Sequence, residues 1–166
     1  ADTDCRIELH SSIRQRTQPS RDLVERVQRE ERVVYGVNTG FGRLSSVRIS
    51  PDQVESLQRN LVRSHAAGVG EPLPLGTVRV IMALRINSLL GGYSGVTQEL
   101  LQSFCSLYNS GVVPFVPSRG SVGASGDLAP LSHIALCLMG EGEATFQGQL
   151  MEAGKPGTGR AQFGAS

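Results

Sequence analysis

Over residues 77–90 the chain places Val78, Ile81, Met82, Leu84, Ile86, Leu89 and Leu90 around most of a helix before closing on Gly91-Gly92. So wide an apolar surface is stable in water only when other chain covers it, so this is expected to be a buried helix around which the fold is built. Residues 128–139 repeat the demand: they are almost entirely apolar, with Asp127 placed to cap them and Pro130 tolerable within a first turn. This helix is expected to be central. Charge follows the same division, with 11 basic and 9 acidic groups over residues 1–63 against 5 and 6 over residues 64–166. The second part is built to be covered.

Other elements read from local signals. Ser20 before residues 21–32, with Leu23, Val24 and Val27 among charges, predicts an amphipathic helix capped by Ser20. Ser50-Pro51-Asp52-Gln53 joins a capping Ser, Pro at a first helical position and Gln three residues on, which starts a second helix. Val54, Leu57, Leu61 and Val62 form its apolar face, Ser64 and His65 fall in its last turn or just beyond, and Gly68 and Gly70 stop the pattern. A further amphipathic helix over 96–108 carries Leu100, Leu101, Phe104, Leu107 and Tyr108 and ends at Asn109-Ser110-Gly111. Residues 111–127, with Pro114, Pro117, Gly120, Gly123 and Gly126, hold too many breakers for either periodic structure and are expected to form an ordered loop. Residues 144–152 alternate around Gln147-Gly148 as a short hairpin, and residues 153–166 are expected to be frayed or disordered.

Size and charge exclude several functions. A chain of 166 residues suggests one domain, here residues 1–152, with a small remainder, and buries about two-thirds of its unfolded surface without needing a disulfide or structural metal. A net charge of +1 argues against a surface for nucleic acid, which requires a clustered basic excess. Cys5, Cys105 and Cys137 are odd in number, far apart and outside any CxxC spacing, so neither a disulfide framework nor a zinc site is expected, and a reducing, cytoplasmic setting is. There is no apolar run of about 18 residues and no basic-then-apolar leader, so neither a membrane span nor a secretory signal is expected. Ala1 stands where an initiator Met would, which leaves open a trimmed N-terminus.

Glycine makes up 20 of the 166 residues, about 12% against a usual ~7%, so backbone turns carry weight. Gly120-Ser121-Val122-Gly123-Ala124-Ser125-Gly126-Asp127 precedes an apolar helix whose N-terminus offers free N–H groups and a positive dipole end. It lacks the GxxxxGK[ST] pattern of a phosphate loop, and Asp127 stands where the last Gly of a GxSxG hydrolase elbow should be. What Ala124-Ser125-Gly126 can do is cyclise. The Gly126 nitrogen attacks the Ala124 carbonyl, and loss of one water from the ring and a second with the Ser125 hydroxyl leaves an exocyclic methylidene, an electrophile. Small residues let the backbone fold tightly enough for that attack.

With this tripeptide stand other blocks: Tyr35-Gly36-Val37-Asn38-Thr39-Gly40-Phe41-Gly42, Leu57-Gln58-Arg59-Asn60-Leu61 with Ser64-His65-Ala66-Ala67-Gly68-Val69-Gly70, Tyr93-Ser94-Gly95, and Val116-Pro117 through to Leu131-Ser132-His133. Over residues 20–152 the chain resembles the aromatic amino-acid ammonia-lyases. The resemblance implies a mainly α fold with a small β-hairpin, like the N-terminal domain of the fumarase/aspartase-like helical superfamily, with the central helical bundle absent. It implies a 4-methylidene-imidazol-5-one (MIO) group made from Ala124, Ser125 and Gly126, with Asp127 helping the dehydration and no external cofactor or metal. It also implies Tyr35 as the base that takes the β-proton, since an unacidified β-proton and a poor ammonium leaving group call for a base beside an electrophile.

Ser64-His65 looks like the histidine-specific form of the pair that contacts the substrate ring, which implies L-histidine as substrate and trans-urocanate and ammonia as products. His133 and His10 are expected to be structural. The family pattern also implies a homotetramer and further active-site residues from chain beyond Ser166, and the tail Gly154-Lys155-Pro156-Gly157-Thr158-Gly159-Arg160 does not look like the family's continuation. Alternatives left open are a phenylalanine or tyrosine lyase, an aminomutase, and an inactive fragment acting through subunit association.

Overall fold

The computed structural model describes residues 5–30, 32–37, 39 and 51–154. They form five helices and five short strands in the order α1 (Ile13–Arg29), α2 (Pro51–His65), β1 (Val69–Pro72), α3 (Leu75–Leu89), α4 (Gln98–Asn109), β2 (Val113–Pro114), β3 (Pro117–Arg119), α5 (Leu128–Leu138), β4 (Glu143–Phe146) and β5 (Gln149–Glu152). The mainly α expectation holds.

The core lies where α3, α4 and α5 meet the strand β2. Val78, Met82 and Ile86 of α3, Leu101 and Leu107 of α4, Val112 and Val116 beyond it, and Ile134 of α5 are its largest fully buried side chains. Burying one such side chain contributes about 1.5–3 kcal/mol, so these residues dominate the stability of the unit. α3 is more one-sided than its sequence suggests. Val78, Met82, Ile86 and Leu89 point inward, whereas Val80 and Leu84 are 51% and 63% exposed, because the described residues pack against one flank. Arg79 enters the covered side: its guanidinium lies 4.1 Å above the Tyr108 ring and donates to the carbonyl oxygens of Tyr108 and Cys5. On α4, Thr97 caps the N-terminus by accepting the Leu100 N–H at 3.1 Å, and Leu100 itself is largely exposed.

α1 corrects the predicted start. The helix begins at Ile13, not after Ser20, and contains Pro19. The Ser20 hydroxyl is used inside the helix, donating to the Thr17 carbonyl at 2.9 Å and accepting the Gly95 N–H at 3.2 Å. Ser20 therefore fastens α1 to the turn after α3. The true N-cap, Ser12, makes no side-chain cap bond; its N–H and hydroxyl face His10 Nδ1.

Two small sheets complete the unit. β4 and β5 form the expected hairpin, closed by Gln147 at φ +49° and Gly148 at φ +78°. Two successive positive φ values define the turn that matches the twist of a two-residue hairpin, so the glutamine adopts it despite its Cβ. β2 extends this hairpin into a three-stranded antiparallel sheet. β1 pairs antiparallel with β3, Val69 opposite Arg119 and Pro72 opposite Pro117. Residues 111–127 are thus not all loop, since β2 and β3 lie within them. The ordered chain continues past the expected boundary at residue 152: Ala153 is buried and donates its N–H to the Gly142 carbonyl at 3.0 Å. Ser50, Asn38, Gly40, Phe41, Gly42 and residues 155–166 lie outside the described residues.

Candidate functional site

The β1–β3 ribbon decides which sequence motifs meet. α2 ends at His65, and β1 starts four residues later at Val69. β3 ends at Arg119, one residue before the Gly-Ser loop that leads into α5. Pairing β1 with β3 therefore brings the end of α2, carrying Ser64 and His65, beside the loop of residues 120–127. The close approach is made by two glycines. A Cβ on Gly120 would lie 2.8 Å from Gly68 Cα, and a Cβ on Gly68 would lie 2.9 Å from His133 Nε2 and 3.1 Å from Pro117 Cβ. Any larger residue at either position would push the two segments apart.

At the tip, residues 123–125 form a turn, Gly126 has φ +69°, and Asp127 precedes the first residue of α5. Asp127 was expected to cap α5. It instead has helical backbone angles and no side-chain cap bond, and its Oδ1 accepts the Ser125 hydroxyl at 2.5 Å. That bond holds the Asp127 carboxyl below the usual carboxylate range, with the Arg85 charge adding a smaller push in the same direction. Asp127 is exposed and ionised at neutral pH, and it holds the Ser125 hydroxyl by its proton.

The end of α2 has its own polar arrangement. The Ser64 hydroxyl donates to the Leu61 carbonyl at 2.8 Å, and His65 Nδ1 lies 2.8 Å from the same oxygen. A carbonyl only accepts, so Nδ1 carries a proton, and in an uncharged ring the lone pair is then on Nε2. Arg63 reaches in another direction, with a two-pronged ion pair to Glu141 at 2.9 and 2.7 Å that joins α2 to the chain just after α5.

Tyr35 stands on a separate turn over residues 35–37, closed by the Val37 N–H donating to the Val34 carbonyl, and is 64% exposed. The path joining Ser64 and His65 to the loop runs through Gly68 and does not include Tyr35. One residue of the site was missed by sequence reasoning. His133 reads as a lone histidine in an apolar helix, yet its Nε2 accepts the Gly68 N–H at 3.1 Å. Its partner is a backbone group 65 residues away, so only the stacking of Gly68, Pro117 and Gly120 beneath it could have pointed there.

Comparison with known proteins bears on the family and the fold. A family model described as aromatic amino acid lyase matches residues 1–157. A histidine ammonia-lyase of Streptococcus gordonii is 51% identical over 144 residues, which cover 87% of this chain and 28% of that protein. Among solved structures, a histidine ammonia-lyase from Trypanosoma cruzi superposes with a TM-score of 0.81 at 39% identity, over 92% of this chain and 29% of the other. The phenylalanine aminomutase of Pantoea agglomerans superposes at 0.82 with 35% identity, over 90% of this chain and 28% of the other. The chain thus spans less than a third of the length of each relative.

Proposed function

Since this chain belongs to the aromatic amino acid lyase family, we propose that it carries the prosthetic-group loop and part of the substrate wall of a histidine ammonia-lyase, which converts L-histidine to trans-urocanate and ammonia. The observation that carries this reading is the Ala124-Ser125-Gly126-Asp127 loop, with Ser125 bonded to Asp127 and the Ser64-His65 pair held alongside by the β1–β3 ribbon. Identity of 51% to a histidine ammonia-lyase supports the choice of substrate.

The residues fit the MIO group. Its formation needs small side chains, a tight turn and a hydroxyl that can leave as water. Residues 123–125 turn, Gly126 is left-handed, and the nearest atom to a Cβ on Gly126 would be Ser121 Cβ at 3.7 Å, so the backbone has room to close. Asp127 is the ionised neighbour that orients the Ser125 hydroxyl during the dehydration. Once formed, the group supplies an electrophile that activates the amino acid toward loss of ammonia.

The remaining work falls to side chains. Tyr35 takes the β-proton as the α-ammonium departs and the double bond forms. His65, with its lone pair on Nε2, presents an acceptor suited to an imidazole N–H, and Ser64 sits beside it. A ring without N–H groups would leave that acceptor unanswered, which disfavours phenylalanine. The proposed enzyme is a cytoplasmic homotetramer whose further active-site residues come from chain beyond this sequence.

A second reading has its own support. Val80, Leu84 and Tyr93 expose apolar surface, which suits a non-catalytic piece that associates with itself or with longer subunits. Incubation with L-histidine at neutral to alkaline pH separates the two. Formation of urocanate would be read against its loss in Tyr35→Phe, with folding checked by circular dichroism. Turnover lost in that variant supports the lyase; no turnover from this chain, alone or with the missing part supplied in trans, leaves the associating fragment.

A further inference from the structure

Three segments converge on one backbone amide. Gly68 sits between α2 and β1, and above it pass Pro117 of β3, Gly120 at the head of the loop, and His133 on α5. The Gly68 N–H is directed at His133 Nε2, 3.1 Å away. We propose that His133 is a positioning residue that fixes the Ser64-His65 segment against the 120–127 loop by accepting the Gly68 N–H.

The chemistry of the contact defines the histidine's state. An amide donates, so Nε2 presents its lone pair and the ring proton is on Nδ1. A protonated ring would have no acceptor for Gly68. Burial lowers the affinity of His133 for that second proton and so favours the accepting form.

The geometry also explains why a histidine stands there. A leucine would fill the volume but leave the Gly68 donor without its partner, whereas a glutamine places an oxygen at about the reach of Nε2. The second tie between α2 and this region, the Arg63–Glu141 pair, is 48% and 33% exposed in its side chains. Solvent screens it, and such pairs contribute little. Within the frame that the β1–β3 pairing sets, the half-buried amide–imidazole bond therefore fixes the chain at Gly68, and through it the placing of His65 beside the loop. This role rests on the proposed lyase reading; the hydrogen bond itself does not.

The test begins with the unaltered protein. Nitrogen-15 spectra of His133 should show the Nδ1–H tautomer, and the Nε2–H tautomer would overturn the proposal without any variant. Next, His133→Leu should speed hydrogen exchange at the Gly68 amide by about tenfold or more, the loss of one partly buried hydrogen bond, while His133→Gln keeps it near the original rate. In the full-length enzyme, His133→Leu should raise KM for L-histidine several-fold with a smaller change in kcat, and His133→Gln should restore KM. Equal KM in all three proteins would overturn the positioning role. Glutamine behaving as poorly as leucine would reduce His133 to a packing residue. If the unaltered enzyme does not turn over L-histidine, the lyase reading fails, and the tautomer and exchange results still decide whether His133 holds Gly68.

Discussion

Each buried or bonded titratable group predicts its own response to solution conditions. His133 is held below its ordinary value of 6.5 by burial, so as pH falls the unfolded chain takes up the proton first. The stability this histidine contributes is whole above pH 6.5 and is lost as pH falls from there toward the lower folded value. Urea melts at pH 7 and pH 5 should show a smaller acid loss for His133→Gln than for the original protein; equal losses would mean that His133 does not titrate in this linkage. The thiols give a second check. Burial pushes Cys137 up to about 12 and raises Cys105, while Cys5 is exposed. A thiol reagent at pH 8 should therefore consume one equivalent quickly and the other two only on denaturation. Two or three fast equivalents would contradict the burial of Cys105 and Cys137. At this scale sequence is a partial guide. Ser125 and Asp127 were legible as a pair because they are neighbours in the chain, although the direction of the Asp127 side chain was not. His133 was illegible because its partner is a distant amide that carries no side-chain signal.

The legibility of each element depended on length and capping. α2, α4 and α5 announce themselves through Pro51, the apolar face ending at Asn109-Ser110-Gly111 and an apolar run after Asp127, and their observed spans lie within a few residues of expectation. α1 was misread because Ser20 resembles a cap and Pro19 resembles a boundary, whereas the helix absorbs both and uses the serine to hold Gly95. β1, β2 and β3 are two to four residues long, and each holds a proline. That is too short for alternation to show, and their pairing is decided by tertiary contact. Yet β1 and β3 bring the two motifs together, so the part of the fold that builds the site was the part least visible in sequence. The hairpin turn predicts a stabilising change. Gln147→Asn places a residue tolerant of positive φ at +49° and should add about 0.5–1 kcal/mol, read as a rise of a few degrees in Tm. A fall in Tm would mean that the Gln147 side chain makes contacts worth more than the backbone strain. At the crossing of the ribbon, Gly120→Ala would set a methyl 2.8 Å from Gly68 Cα; backbone on both sides leaves little room to yield, so overpacking should cost about 1–3 kcal/mol.

For the molecule as a whole, one buried centre of α3, α4, α5 and β2 carries stability, and a ribbon on its edge carries the proposed chemistry. The outward flank of α3, with Val80 and Leu84, and the exposed Tyr93 are apolar surface that the described residues do not cover. The chain spans 28% of the Streptococcus gordonii relative, and the proposed assembly would cover that surface. Sedimentation of the 166-residue chain should show concentration-dependent association that Leu84→Glu weakens; a monomer at all concentrations would contradict the associating surface. The division of charge along the sequence already pointed to a covered second part, whereas the exposure of Val80, Leu84 and Tyr93 was not legible from it.

Formation of the proposed electrophile from residues 124–126 would change the intact mass of the chain. The chain should be lighter than its calculated mass by two waters, and Ser125→Ala, which has no hydroxyl to lose, should not show the full deficit. Asp127→Asn should show it only in part if the carboxylate helps the dehydration. An unaltered chain at its full calculated mass would contradict the claim that this loop, as folded here, forms the group.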